Sequence, residues 1–175
     1  MAKARKLMGL FTILLASILL VACGQKTTKD GVPTILQDKY SGYSKVSGSY
    51  RSDIFSEGGS ELIFNKKKQT ITNTSYISSY GDKGVTYYYQ VVPENKLTSE
   101  EKGILTKHKS ELEGKDYFLI RTTDDKEYAS KLVDDTSGLT YGVVLSDGGK
   151  AIRIFEFESS GAADVYYDFS GQTIK

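Results

Sequence analysis

Thr140-Tyr141-Gly142-Val143-Val144-Leu145-Ser146, then Asp147-Gly148-Gly149, then Ala151-Ile152-Arg153-Ile154-Phe155-Glu156-Phe157-Glu158: two runs rich in β-branched and aromatic residues flank a stretch that tolerates positive φ. Runs of this kind pleat into strands, and so short a connection makes them antiparallel neighbours. Successive side chains then point to opposite faces. Arg153, Phe155 and Phe157 share one side of the second strand, and Ile152 and Ile154 share the other.

The same grammar recurs on both sides. Strands are predicted over 46–52, 61–65, 70–77, 85–92, 117–123 and 163–169, which with 140–146 and 151–158 makes eight. Turn residues separate them: Glu57-Gly58-Gly59, Asn65-Lys66-Lys67-Lys68, Gly81-Asp82-Lys83-Gly84 and Ser159-Ser160-Gly161. In the last strand Val165, Tyr167 and Phe169 face one way, and Asp164, Tyr166 and Asp168 the other. One helix interrupts the series. Thr98 stands three residues before Glu101, the spacing of a reciprocal capping box; Ile104, Leu105, His108 and Leu112 follow at helical spacing, and Gly114 suits the left-handed residue after a helix end. The fold expected is all-β with one inserted helix, an eight-stranded, mainly antiparallel barrel, with a two-sheet β-sandwich as the alternative.

Upstream of residue 39 the sequence changes character. Lys3, Arg5 and Lys6 precede an uncharged run over 7–20, which is too short for an ordinary membrane span of about 20 residues and has the pattern of a secretory signal peptide. The run ends in Leu20-Val21-Ala22-Cys23. That tetrapeptide resembles the lipobox of bacterial lipoproteins, and the resemblance implies that residues 1–22 are removed and that Cys23 becomes a diacylglyceryl-modified, palmitate-bearing first residue. Two acyl chains hold a protein on a bilayer where one is marginal. Residues 23–38, polar and without period, are read as a tether of roughly 20 Å, and 39–175 as one domain. Lys39 to Ser44 carries two tyrosines that favour packing against that domain.

Gly48-Ser49-Tyr50 resembles the Gly-x-Trp of the opening strand of lipocalins and lipocalin-like domains, with tyrosine where that family has tryptophan. The resemblance implies the barrel rather than the sandwich. Lipobox, tether and β domain together resemble the small surface lipoproteins of Gram-positive bacteria, which implies a location on the extracytoplasmic face of the cell membrane.

Composition narrows the function classes. The formal charge of +1 becomes −2 once Lys3, Arg5 and Lys6 leave, and both signs are interspersed, which excludes a dedicated nucleic-acid binder. Cys23 is the only cysteine and His108 the only histidine, so no disulfide forms within the chain and no metal site can be built on several histidines. His108 is read as packing at the edge of the helix stripe. The acidic pairs Asp124-Asp125 and Asp134-Asp135 lack the spacing of a calcium loop and read as solvated loops. Lys66-Lys67-Lys68 would meet anionic headgroups or teichoic phosphate, or simply solvate a turn.

Tyrosine is the compositional excess, thirteen with no tryptophan. Tyr87, Tyr89 and Tyr167 are the candidate lining of a ligand pocket, and Arg153 its polar anchor unless it pairs with a nearby acid. The expectation is a non-catalytic binding module for a small apolar or aromatic ligand, without cofactor or metal. An interaction or structural envelope lipoprotein, binding a cell-wall component or a protein partner, is the alternative. A hydrolase using Glu156, Glu158, Asp164 and Asp168 is the third reading.

Overall fold

The computed structural model describes residues 26–48, 53–136, 138–157 and 166–175. Eight strands, each antiparallel to its neighbours, close into a barrel in chain order: β1 Lys39–Ser44, β2 Gly58–Asn65, β3 Thr70–Ile77, β4 Lys83–Val91, β5 Asp116–Thr123, β6 Thr140–Ser146, β7 Ala151–Glu156 and β8 Asp168–Thr173. β8 closes on β1 through Tyr40 opposite Thr173 and Tyr43 opposite Ser170. Closure leaves no strand edge open to another chain.

The first and last strands differ most from expectation, and β2 takes in Gly58 and Gly59, which were read as a turn. The opening strand is Lys39–Ser44, and residues 46–48 of the predicted 46–52 are not strand. Gly48 lies beyond it, its N–H donating to the Phe55 carbonyl, while Ser49 and Tyr50 fall outside the described residues. What admits the Lys39–Ser44 stretch to the wall is Gly42: a Cβ there would sit 2.2 Å from the Ser170 carbonyl and 2.6 Å from the Phe169 ring. The closing strand runs on to Thr173, past the predicted end at 169. Ser170-Gly171-Gln172 carries no apolar pattern, yet its backbone is paired on both sides, by β1 and β7. Residues 163–165 of that prediction lie outside the described residues.

The inward positions make the core. Tyr40, Leu62, Phe64, Ile71, Tyr89, Phe118, Ile120, Val143, Leu145, Ile152, Ile154 and Phe169 are all buried. Tyr40 meets Phe64 edge-on at 5.9 Å, and Phe64 meets Tyr89 at 6.4 Å. Toward the other end Phe55 lies 4.4 Å from Tyr141 and 4.9 Å from Tyr167, which stacks on Phe169. Rings thus fill the barrel along its length.

Both ends are stoppered. At the end where β2 meets β3 and β6 meets β7, residues 26–38 cross the opening. A small hairpin, with Thr27 bridged to Pro33, inserts Val32 and Leu36 into the core at 0% exposure. The segment is fastened by Lys66 donating to the Leu36 carbonyl, by the Phe64 N–H donating to the Asp38 carbonyl, and by the Tyr40 hydroxyl, which donates to the Gly149 carbonyl at 2.7 Å. The tether read over 23–38 is therefore folded from Lys26 onward, and the domain begins before residue 39; two apolar side chains twelve residues or more from any long hydrophobic run gave the burial no periodic signature. At the opposite end a 3-10 turn, Asp53–Phe55, drops Ile54 and Phe55 into the opening, held by Asn73, whose side-chain amide donates to the Ile54 carbonyl and to the Ser56 and Ser60 hydroxyls.

The helix α1, Ser99–Leu112, has the expected capping box and lies on the outer wall rather than in an opening. Ile104 and Leu112 pack on Leu119, Val144, Phe155 and Phe157, outward residues of β5, β6 and the end of β7. Gly142 lets it sit there. The Phe155 ring covers Gly142 across the strand pair, so closely that a Cβ would lie 2.4 Å from it. Gly114, at φ +73°, ends the helix.

Candidate functional site

Of the four residues read as a pocket, three point inward and one does not. Tyr89 and Tyr167 are wholly buried and Tyr87 packs against the same core. Arg153 points outward, because its strand neighbours Ile152 and Ile154 occupy the inner positions. Alternation along β7 thus separates Arg153 from the tyrosines by the thickness of the wall. Inside, burial pushes the Tyr89, Tyr141 and Tyr167 hydroxyls well above their ordinary pKa, so all three are neutral donors. Among the described residues, the Tyr89 and Tyr167 hydroxyls have no hydrogen-bond partner. Glu156 is also inward and buried, near enough to Tyr141 to oppose ionisation of its hydroxyl.

Outside, Arg153 is the centre of a built arrangement. Its Nε and Nη2 donate to the two Asp168 oxygens at 2.8 and 2.7 Å, and Nη1 donates to Glu111 Oε2 at 2.6 Å. Its guanidinium lies 5.1 Å over the Phe155 ring, which also carries His108 at 4.6 Å. The hydrogen bonds that Arg153 donates to Asp168 and to Glu111, opposed by partial burial, raise its pKa; the bond it donates to Glu111 lowers that carboxyl's. A guanidinium between two carboxylates has no net positive charge left to draw an anion. That geometry favours the acid-pairing reading of Arg153 over the anion anchor.

Two grooves meet at this residue. One, of about 350 Å³, runs toward Ser41, Ser146, Gln172 and Lys115; the other, of about 430 Å³, runs past Ser170 and Asp168 to Tyr43, Tyr166 and Lys45. They share Arg153 and Ser170. The floor is the outer face of β1, β7 and β8, whose short serines keep it low, and one wall is the end of α1. Tyr43, 59% exposed, stands where the sequence placed no site. Its only signal was alternation within 39–44, which would have put Tyr40 inside and Tyr43 outside.

The buried charge that sequence reading missed is Arg121, at 0% exposure beneath the start of α1. It donates to both Glu101 oxygens at 3.0 and 3.1 Å, to Thr140 Oγ1 at 2.9 Å and to the Leu132 and Val133 carbonyls. Glu101 accepts from the Thr98 N–H at 2.7 Å as well, so one carboxylate closes the capping box and the ion pair. This cluster fixes the helix start to the wall.

The carboxylates weighed for hydrolysis divide across the wall. Glu156 is inside and Asp168 outside, held by Arg153, while Glu158 and Asp164 lie outside the described residues. Asp134 is held by Lys96 at 2.7 Å, Asp135 accepts from the Tyr128 hydroxyl, and Asp125 caps the N–H groups of Glu127 and Tyr128. Among the described residues, no three histidine, cysteine or acidic side chains are grouped to hold a metal ion. Comparison with protein-family models, with curated proteins and with solved structures gave no significant match.

Proposed function

We propose that the chain is a lipid-anchored, non-catalytic envelope-surface protein that recognises a cell-wall component or protein partner across its outer wall, through the groove between Tyr43, Tyr166 and Arg153. The observation that carries this reading is the filled interior. Core rings, the 26–38 segment and Ile54 with Phe55 occupy the space that a small apolar ligand would need, which favours the interaction function over a guest inside the barrel. An exposed tyrosine beside a hydrogen-bonded Arg–Asp pair offers an apolar ring face and fixed polar partners together, the composition of recognition surfaces. Anchoring rests on Leu20-Val21-Ala22-Cys23 at the end of the basic and apolar leader.

Two measurements test it. Cys23→Ser should move the protein out of the membrane fraction, and processing and retention like the wild type would rule out the anchor. Cosedimentation with purified cell wall, and cross-linking on intact cells, should lose signal in the Tyr43→Ala/Tyr166→Ala double variant with thermal stability kept. Unchanged capture in both assays would move recognition elsewhere.

A further inference from the structure

The barrel has a basic pole and an acidic one, and residues 26–38 lie at the basic pole. Up-and-down topology sorts every connection to one of two ends. At the end crossed by residues 26–38 lie the β2–β3 turn with Lys66, Lys67 and Lys68, the β6–β7 turn with Lys150, and Lys26 and Lys29. Lys67, Lys68, Lys150, Lys26 and Lys29 are exposed. Facing them are Asp30, Asp38 and Asp147, of which Asp38 lies 3.4 Å from Lys66, while Glu113 and Lys115 precede β5 and Lys175 follows β8 at the same end. At the opposite end the β3–β4 turn carries Asp82, and the connection after β5 opens with Asp124, Asp125 and Glu127 against Lys126.

We infer that the protein stands on the membrane with its basic pole, centred on Lys67 and Lys68, against anionic phospholipid headgroups and its acidic pole outward. The inference rests on the proposed lipidation of Cys23. Only Gly24 and Gln25 separate Cys23 from Lys26, three Cα steps with a reach of at most about 10 Å. Val32 and Leu36 clamp the 26–38 segment into the end of the barrel, so the anchor holds that end at the surface instead of leaving the domain on a long leash. Within that distance the lysines lie inside about one Debye length of the headgroup charge at physiological salt. The side wall with Tyr43 and Arg153 then stands upright, open to the envelope.

The ends of β3 give the test, since Lys68 precedes the strand and Tyr80, 93% exposed, comes after it. The strand is about 26 Å long and, at ordinary barrel tilt, spans roughly 20 Å along the axis. Because the chain's only cysteine is taken by the lipid, Lys68→Cys and Tyr80→Cys can each be labelled singly in the mature, full-length protein. Reconstituted into phosphatidylglycerol/phosphatidylcholine vesicles with a headgroup quencher, the label at 68 should be strongly quenched and that at 80 hardly at all. The contrast should shrink in phosphatidylcholine alone, in high salt, and when both labels are placed in a Lys26→Gln/Lys29→Gln/Lys67→Gln/Lys150→Gln background, which keeps the Lys66 contacts to Leu36 and Asp38. Equal quenching at both positions in the anionic vesicles, with intact mass showing the diacylglyceryl group, overturns the orientation and leaves the anchor standing. A contrast as large without anionic lipid overturns the role of the lysines. A mass without the lipid removes the anchor and the orientation with it.

Discussion

Tyrosines that look equivalent in composition do opposite things in this barrel. Tyr40 uses its hydroxyl twice, donating to the Gly149 carbonyl and accepting from the Gln37 N–H at 2.9 Å. Tyr167 is as deeply buried, yet its hydroxyl has no partner among the described residues. A lost hydrogen bond costs about 0.5–1.5 kcal/mol, whereas an unsatisfied buried hydroxyl itself costs about 1–3. Chemical denaturation should therefore show Tyr40→Phe destabilised and Tyr167→Phe unchanged or stabilised. Tyr167→Ala, which empties the ring's place, should cost on the order of 3 kcal/mol, with Tyr166→Ala mild. Glu101 gives a pH prediction. Burial raises its pKa, but the hydrogen bonds from Thr140, the Thr98 backbone and Arg121 outweigh it and hold the carboxyl below its ordinary value. A folded pKa below the unfolded one means the contribution is complete above the unfolded value, near 4.3, and is lost as pH falls through the folded one. Stability should thus drop in acid below about pH 4, and more gently in Glu101→Gln, which by breaking a buried pair should also be less stable at neutral pH by about 3–5 kcal/mol.

Among the elements, the hairpins and the helix were legible and the two closures were not. The strands 70–77 and 140–146 and the helix start at Thr98 announce themselves locally, through alternation, turn residues or a cap, and these signals act over a few residues. β1, the tail of β8 and the 26–38 segment depend on partners far along the chain. Gly42 and Gly171 pack against Phe169, and Ile35 lies on Gly149, none of which leaves a local pattern. The candidate site shows the same division: alternation set Arg153 opposite Ile152 and Ile154, but that its face is the outer one, and that Glu111 and Asp168 are its partners, could be found only in three dimensions. Gly149 tests the closure directly. At φ +85° a side chain is already strained there, and a Cβ would lie 1.9 Å from the Ile35 carbonyl. Gly149→Ala should loosen residues 26–38, seen as faster amide exchange at Thr28, Thr34 and Leu36, whose N–H groups are bonded within that segment, while β3 and β6 stay protected. Uniform loss of protection across the barrel would mean that the segment is no separate unit.

At the scale of the molecule, a barrel stoppered at both ends leaves its outer surface for contact. Small eight-stranded barrels either fill with side chains or hold one ligand, and this one places Tyr40, Phe64, Tyr89, Phe55, Tyr167 and Phe169 along its axis. The expectation of an aromatic-lined pocket thus becomes an aromatic-packed core, and Tyr43, Tyr80 and Tyr128 are exposed outside it, with Tyr166 half-buried beside Tyr43. The most direct measurement is native mass spectrometry of the mature protein released gently from its membrane. A filled barrel should give one species, the polypeptide with its lipid, unchanged in composition on denaturation. A further bound mass that denaturation releases, retained in Tyr43→Ala/Tyr166→Ala, would contradict it and place a ligand inside the barrel.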